Sequence, residues 1–196
     1  MFTGLVADQG EVISIEKRDE SALMQIKTEL AAQIRPGDSV SVSGVCLTAI
    51  KSDESSFTAD VMIQTLRLTT LGELSIQSQV NLELAAQLSD RMGGHIVQGH
   101  VDGIGEVLEN SPGEKWNKFR LRIPEALAKY IVNQGSIAIE GVSLTVGEIL
   151  SDEVTLWLIP ETLARTNLAA KRVGARVNIE VDIIAKYVEK LVGSRT

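Results

Sequence analysis

The sequence predicts an all-β protein built as two tandem Greek-key barrels with short helices and a C-terminal helix. Three observations carry that prediction. The chain repeats itself, each copy reads as short strands punctuated by glycine, and the tail forms a lone amphipathic stripe. The repeat comes first, because internal self-similarity decides how everything else is read. Ser39 to Ala85 aligns without a gap on Ser136 to Asp182, with Gly44 on Gly141, Thr65 on Thr162 and Asn81 on Asn178, all 97 residues apart. In the same register Leu66 meets Leu163, Thr69 meets Thr166, Val80 meets Val177 and Glu83 meets Glu180. The openings match too, Met1 to Val12 on Ile96 to Val107, with Gly4 on Gly99, Val6 on Val101 and Gly10 on Gly105 at an offset of 95. A length change in the loops reconciles the two offsets. The boundary falls in Ser89-Asp90-Arg91-Met92-Gly93-Gly94, a turn-forming stretch. This gives modules 1–94 and 95–182 and a tail 183–196.

Within each copy the apolar residues alternate as a half-buried strand requires. Ser39-Val40-Ser41-Val42-Ser43 does so in the first copy and Ser136-Ile137-Ala138-Ile139-Glu140 in the second. Ser56 to Val61 and Glu153 to Ile159 read as further strands, and Val80 to Leu84 and Val177 to Val181 close the copies. Proline can open a helix, so Pro124 to Tyr130 and Pro160 to Leu163 are short helices. Several short strands within about ninety residues suggest a small closed or Greek-key barrel. In the tail, Ile183, Ile184, Tyr187, Val188 and Leu191 share one helical face, opposite Lys186, Glu189 and Lys190. Such a helix must bury its stripe, and packing against other copies of the chain is the preferred arrangement.

Composition narrows the function. A net charge of −7 and only 4% aromatic residues argue against nucleic acid, which needs a cationic track and stacking platforms. With a single cysteine, Cys46, no intramolecular disulfide can form, which fits a reducing compartment. Residues Met1 to Asp8 lack the basic and apolar regions of a signal peptide, and no apolar run reaches membrane-spanning length. The expectation is a cytoplasmic globular protein. His95 and His100 lie five residues apart, on opposite faces of a continuous strand, so no metal site is expected. Gly99, Gly103 and Gly105 do not complete a dinucleotide fingerprint, because Leu108 occupies the last glycine position.

A duplicated scaffold supplies its own control. Matched identities report what both halves need, whereas matched positions that differ in reactive residues are candidates for chemistry. Cys46 faces Ser143, His100 faces Leu5 and Asp182 faces Ala85. Each has an ordinary structural reading: a small buried thiol, a surface or core imidazole, a helix N-cap. Their joint asymmetry is what a catalyst made from a binding scaffold would show.

Taken together, Met1-Phe2-Thr3-Gly4, Gly44-Val45-Cys46-Leu47-Thr48, Gly93-Gly94-His95, Gly99-His100-Val101, Gly141-Val142-Ser143-Leu144-Thr145 and Ile159-Pro160-Glu161-Thr162-Leu163 resemble the riboflavin synthase family over essentially the whole chain. The resemblance implies two six-stranded barrels, a homotrimer, and an active site between the N-terminal barrel of one subunit and the C-terminal barrel of the next. It implies dismutation of two 6,7-dimethyl-8-ribityllumazine molecules into riboflavin and 5-amino-6-(ribitylamino)uracil by four-carbon transfer, without cofactor or metal. Association with lumazine synthase is a further implied partner. A non-catalytic lumazine- or flavin-binding relative is the alternative.

By the same resemblance Phe2, Ser39, Cys46, His100 and Asp182 are the catalytic candidates. His100 would shuttle protons. Cys46 would add to the ring or hydrogen-bond it, Asp182 would orient a partner, Phe2 would give apolar cover and Ser39 a hydroxyl. The N-half pocket would use Gly4, Leu5 and Val6, Cys46, Leu47 and Thr48, and Asp60, Val61, Met62, Ile63, Gln64 and Thr65. The C-half pocket would use Gly99, His100 and Val101, Ser143, Leu144 and Thr145, and Ile159, Pro160, Glu161, Thr162, Leu163 and Ala164, with Gln134 nearby. Gln98 stands where the family often has serine, Gln134 where some members carry a ligand-contacting lysine, and Ile63-Gln64 in place of a more polar pair.

Overall fold

The alternating segments of both copies pair as predicted, and each set closes on itself. In the computed structural model, which describes residues 1–193, the first copy forms β1 (Asp8–Lys17), β2 (Ser21–Lys27), β3 (Ser39–Val42), β4 (Val45–Ser52), β5 (Ser56–Met62) and β6 (Gln79–Leu84), with helix α1 (Ile63–Leu68) between the last two. The second copy forms β7 (Gly103–Ser111), β8 (Asn117–Arg122), β9 (Ser136–Ile139), β10 (Val142–Leu150), β11 (Glu153–Leu158) and β12 (Arg176–Val181), with α2 (Glu125–Ala128) and α3 (Pro160–Arg165). Both are closed antiparallel barrels with matching order, β1-β2-β5-β4-β3-β6 and β7-β8-β11-β10-β9-β12. In the first, β6 returns beside β3 rather than β5, which is the Greek-key return.

Closure needs bent strands, and the bends sit at matched positions. The ladder register shifts between Val12 and Ser14 in β1 and between Val107 and Glu109 in β7. It shifts again between Ala49 and Lys51 in β4 and between Val146 and Glu148 in β10. Each shift inserts one extra residue, which coils the strand enough for six strands to close. The side chains pointing inward fill the interiors. Val12, Met24, Ile26, Val40, Val42, Phe57, Val80 and Leu82 form one core, and Val107, Phe119, Leu121, Ile137, Ile139, Leu156, Val177 and Ile179 the other.

The barrels meet along an approximate two-fold axis within the chain. At its centre the turns Ser43-Gly44 and Glu140-Gly141 lie back to back. A Cβ on Gly44 would stand 2.7 Å from the Gly141 nitrogen, and a Cβ on Gly141 2.7 Å from the Gly44 nitrogen. Both glycines also have positive φ, +84° and +79°, where a side chain is strained. Around them the asparagines reach across. Asn81 donates to the Glu140 carbonyl at 2.9 Å and Asn178 to the Ser43 carbonyl at 2.9 Å. The Asn81 side-chain oxygen accepts the Asn167 N–H at 2.8 Å, and the Asn178 oxygen accepts the Thr70 N–H at 2.8 Å. The Val-Asn-x-Glu match in the sequence is therefore the signature of this seam.

Helix α4 (Ile183–Gly193) follows β12 directly. The predicted tail 183–196 is helical to Gly193; its last three residues lie outside the described ones. Asp182 Oδ1 accepts the Ile184 N–H at 2.9 Å, so Asp182 does cap the helix. Lys186 pairs with Asp102, and Glu189 accepts from Lys129 and Tyr130. These polar ties hold the helix on its own barrel while its apolar residues stay open, with Ile184 56%, Tyr187 64% and Leu191 70% exposed.

The seam makes Gly141→Ala costly. The left-handed backbone alone is worth about 1–2 kcal/mol against alanine, and the Cβ has backbone in its way. Denaturant unfolding should show at least that loss, whereas Gly174→Ala, with nothing within 4 Å of its Cβ, should lose only the backbone part.

Candidate functional site

Strand alternation turns one set of residues outward on each barrel. In β3 and β4 the inward residues are Val40, Val42, Val45 and Leu47, so Ser39, Ser41, Cys46 and Thr48 face out. The register sets Ser39 opposite Thr48 and Ser41 opposite Cys46. The second barrel repeats this with Ser136 opposite Thr145 and Ala138 opposite Ser143. Glu83 lies opposite Ser41, and Glu180 opposite Ala138. At the edge of the two surfaces stand Met62 and Ile159, a matched apolar pair left 64% and 48% exposed. α1 and α3 begin directly beside them, carrying Ile63, Gln64 and Thr65 on one barrel and Pro160, Glu161, Thr162, Leu163 and Ala164 on the other.

The segment that completes each surface comes from the other half of the chain, and this corrects the expected division of the pockets. Residues ahead of β1 cross to the second barrel: the Gly4 carbonyl accepts the Ser143 N–H at 2.8 Å, and Val6 packs on the second core. Residues ahead of β7 cross to the first: the Gly99 carbonyl accepts the Cys46 N–H at 2.9 Å, and Val101 packs on the first core. Gly4, Leu5 and Val6 therefore belong with Ser143, and Gly99, His100 and Val101 with Cys46. Both glycines are obligatory at these crossings. A Cβ on Gly4 would lie 2.5 Å from the Ser143 Cβ, and one on Gly99 2.6 Å from the Cys46 Cβ.

Where the two segments pass each other, Phe2 and Val97 pair as a two-residue antiparallel bridge, with N–H···O distances of 2.7 and 3.1 Å. Phe2 is 1% exposed, in a small cluster with Val97, Ala138 and Cys46. It stands behind Cys46 as packing. His100 is exposed, and its N–H donates to Glu180 at 3.1 Å. The repeat had put Cys46 and His100 in different halves; the crossover brings their backbones together on one surface. Gln134 is exposed on a turn with φ +64°, matching Gly37 of the first copy. Ser39 is half-buried and Asp60 exposed.

One buried polar group goes beyond the candidates named from the sequence. His95 is 9% exposed, and its Nδ1 lies 2.7 Å from the Ser143 hydroxyl. Its Nε2 is buried with no hydrogen-bond partner among the described residues. Burial holds the imidazole below its usual pKa, opposed by the nearby Asp182 carboxylate. His95 falls in the inter-module loop, one residue before the first copy's Met1 would align, so the repeat comparison had no partner to contrast it with. The two surfaces are thus chemically distinct: a thiol with the His100 segment on one, a hydroxyl with a buried imidazole on the other. The Ser136 and Asp182 side of the second surface opens onto a cavity of about 500 Å³ roofed by Ala185, Val188 and Val192 of α4.

Comparison with known proteins agrees with this architecture. The lumazine binding domain matches twice, over residues 3–85 and 98–182. The riboflavin synthase of Mycobacterium tuberculosis is 47% identical over 99% of both chains. Those of Actinobacillus pleuropneumoniae and Bacillus subtilis are 42% and 39% identical, covering 97% and 95% of this chain and 89% and 87% of theirs. Among solved structures, LumP complexed with 6,7-dimethyl-8-(1'-D-ribityl) lumazine superposes with a TM-score of 0.84 at 27% identity, covering 92% of this chain and 99% of that one. The LumP complex with riboflavin gives 0.86 at the same identity and coverage. With two lumazine-binding domains and full-length likeness to these enzymes, the chain belongs to the riboflavin synthase family.

Proposed function

We propose that this chain is a riboflavin synthase, a transferase that binds two 6,7-dimethyl-8-ribityllumazine molecules and moves a four-carbon unit from one to the other. The observation that carries this reading is the pair of matched surfaces with unlike chemistry, Cys46 with His100 and Ser143 with His95. Identical substrates need similar pockets, and a dismutation needs one molecule to donate and the other to accept. The donor loses its two ring carbons with their methyl groups and leaves as 5-amino-6-(ribitylamino)uracil. The acceptor becomes riboflavin, and no atom or electron is needed from outside.

The residues suit those steps. The lumazine 7-methyl group is acidic because its anion delocalises into the ring, and an imidazole can take that proton near neutral pH. His100 serves this role on the Cys46 surface. On the other, His95 accepts the Ser143 hydroxyl proton through Nδ1, leaving Ser143 ready to accept one from substrate. Cys46 adds to the second lumazine or hydrogen-bonds it. Asp182 orients this end, and Ser39, Asp60 and the α1 and α3 openings bind the polar edges of the rings and ribityl chains, which are costly to bury unmatched. The modules are 1–94 and 95–182 with their leading segments exchanged.

The same reading extends to assembly. Met62 and Ile159 leave apolar edges open, as does the stripe of α4. A homotrimer in which the first barrel of one subunit faces the second barrel of its neighbour would cover them and close the site. Association with lumazine synthase, and a place in the cytoplasm, belong to the same reading. No helix among the described residues is long and apolar enough to cross a membrane.

Purified protein should convert the lumazine to riboflavin with no added cofactor, followed by the product spectrum. Binding without turnover would leave the chain a lumazine carrier. Cys46→Ser and His100→Ala subunits, each slow alone, should recover activity when mixed and reassembled; verified mixed oligomers with no recovery would sink the intersubunit site. His95 gives a stability test. Its folded pKa lies below the unfolded value of about 6.5. The unfolded chain therefore takes up the proton first, and stability present above that value is lost as pH falls toward the folded pKa. The melting-temperature gap between wild type and His95→Gln should shrink from pH 7.5 to 5.5. A gap that stays constant would mean that His95 titrates alike in the folded and unfolded chain, and a gap that widens that the fold favours the charged imidazole.

A further inference from the structure

Two buried carboxylates hold the crossing segments, and neither has been given a role. Glu83, on β6, accepts the Thr3 N–H at 2.6 Å and the Thr3 hydroxyl at 2.7 Å through Oε1, and the Gly4 N–H at 2.9 Å through Oε2. Glu180, on β12, accepts the Gln98 N–H at 2.6 Å through Oε1 and the Gly99 and His100 N–H groups at 2.9 and 3.1 Å through Oε2. They are 7% and 4% exposed, and neither meets a cation among the described residues. Burying a carboxylate costs several kcal/mol unless it is satisfied. Each is satisfied here by the donors of one short segment, so the segment cannot shift without stranding a charge.

Each clasped segment then touches the opposite barrel. Glu180 belongs to the second barrel, yet the Gly99 carbonyl it helps to place accepts the Cys46 N–H of the first. Glu83 belongs to the first barrel, yet the Gly4 carbonyl accepts the Ser143 N–H of the second. We propose that Glu83 and Glu180 are a matched pair of positioning residues, each setting the reactive surface of the opposite barrel: Glu180 places Cys46 and His100, and Glu83 places Ser143. The charge is essential to this. A glutamine of the same shape turns an –NH2 group toward N–H donors, losing one hydrogen bond and setting donor against donor. The assignment rests on the proposed roles of Cys46, His100 and Ser143, and its first readout does not depend on turnover.

The test uses E180Q and E83Q in the intact protein, with hydrogen exchange read by mass spectrometry on the peptides holding Cys46 and Ser143. E180Q should speed exchange at the Cys46 peptide by about tenfold, as expected for a loosened hydrogen bond, and leave the Ser143 peptide within about twofold. E83Q should do the reverse. Riboflavin formation by E180Q should fall by about tenfold in kcat at unchanged folded content. In a His100→Ala background the same change should cost much less, because residues acting through one another are not additive. If both peptides loosen together in either variant, the carboxylates only stabilise the seam and the assignment is overturned. Selective exchange with unchanged kcat overturns the positioning role as well. Should a Gln variant fail to fold, Glu→Asp keeps the charge, shortens the reach by one methylene and is read by the same exchange pattern. A wild type that makes no riboflavin would sink the function reading without altering the exchange result.

Discussion

Everything distinctive about this molecule depends on the exchange of two leading segments across the internal two-fold axis. Gly4 to Val6 reach from the first barrel onto the second, and Gly99 to Val101 reach from the second onto the first. The exchange requires backbones to approach more closely than side chains permit, which is why Gly4 and Gly99 occupy the crossings. It also requires a fixed anchor at each root, which Glu83 and Glu180 supply by collecting N–H groups that a barrel edge would otherwise leave to water. Without the exchange each barrel would present a plain outer face. With it, each face gains a second wall and a backbone carbonyl aimed at its central residue.

Around that symmetric frame the protein breaks symmetry in a few places, each with a physical consequence. At the seam, Ser43 is answered by Glu140, whose carboxylate takes the Asn178 N–H at 2.7 Å, the Asn167 amide at 3.2 Å and the Lys171 ammonium at 2.8 Å. An ion pair this buried is neutral for stability at best, but losing one partner would strand the other. On the surfaces the break is between Cys46 and Ser143, and between a histidine in the open and one that is buried. Duplication accounts for the two matched surfaces; on the proposed function, the unlike residues let two identical molecules meet unlike fates on them.

The fold was largely legible because its causes are local or periodic. Alternation along Ser39–Ser43 and Ser136–Glu140 reports strands directly, and proline at the start of α3 reports a helix. α1 carries Ile63 where α3 has Pro160, and only the register of the repeat could have revealed it. The site was legible less evenly. Cys46 and His100 emerged from the comparison of copies. His95 did not, because its importance lies in burial and in one hydrogen bond to a residue 48 positions away. Glu83 and Glu180 appeared only as a matched pair, with nothing local to say that they face inward to backbone rather than outward to solvent.

By itself, then, the sequence determined that there are two like modules, that both are barrels, and that they differ at Cys46, His100 and Asp182. Periodicity and self-alignment are properties of a linear chain, so they can be read from one. Only the tertiary structure decided which segment completes which surface. The expected pockets set Gly4 with Cys46 and Gly99 with Ser143, as the resemblance implied with each module keeping its own parts. Folding swapped them, because Glu83 and Glu180 root each leading segment on its own barrel while the glycine crossings carry its carbonyl onto the other, and no one-dimensional comparison carries that information.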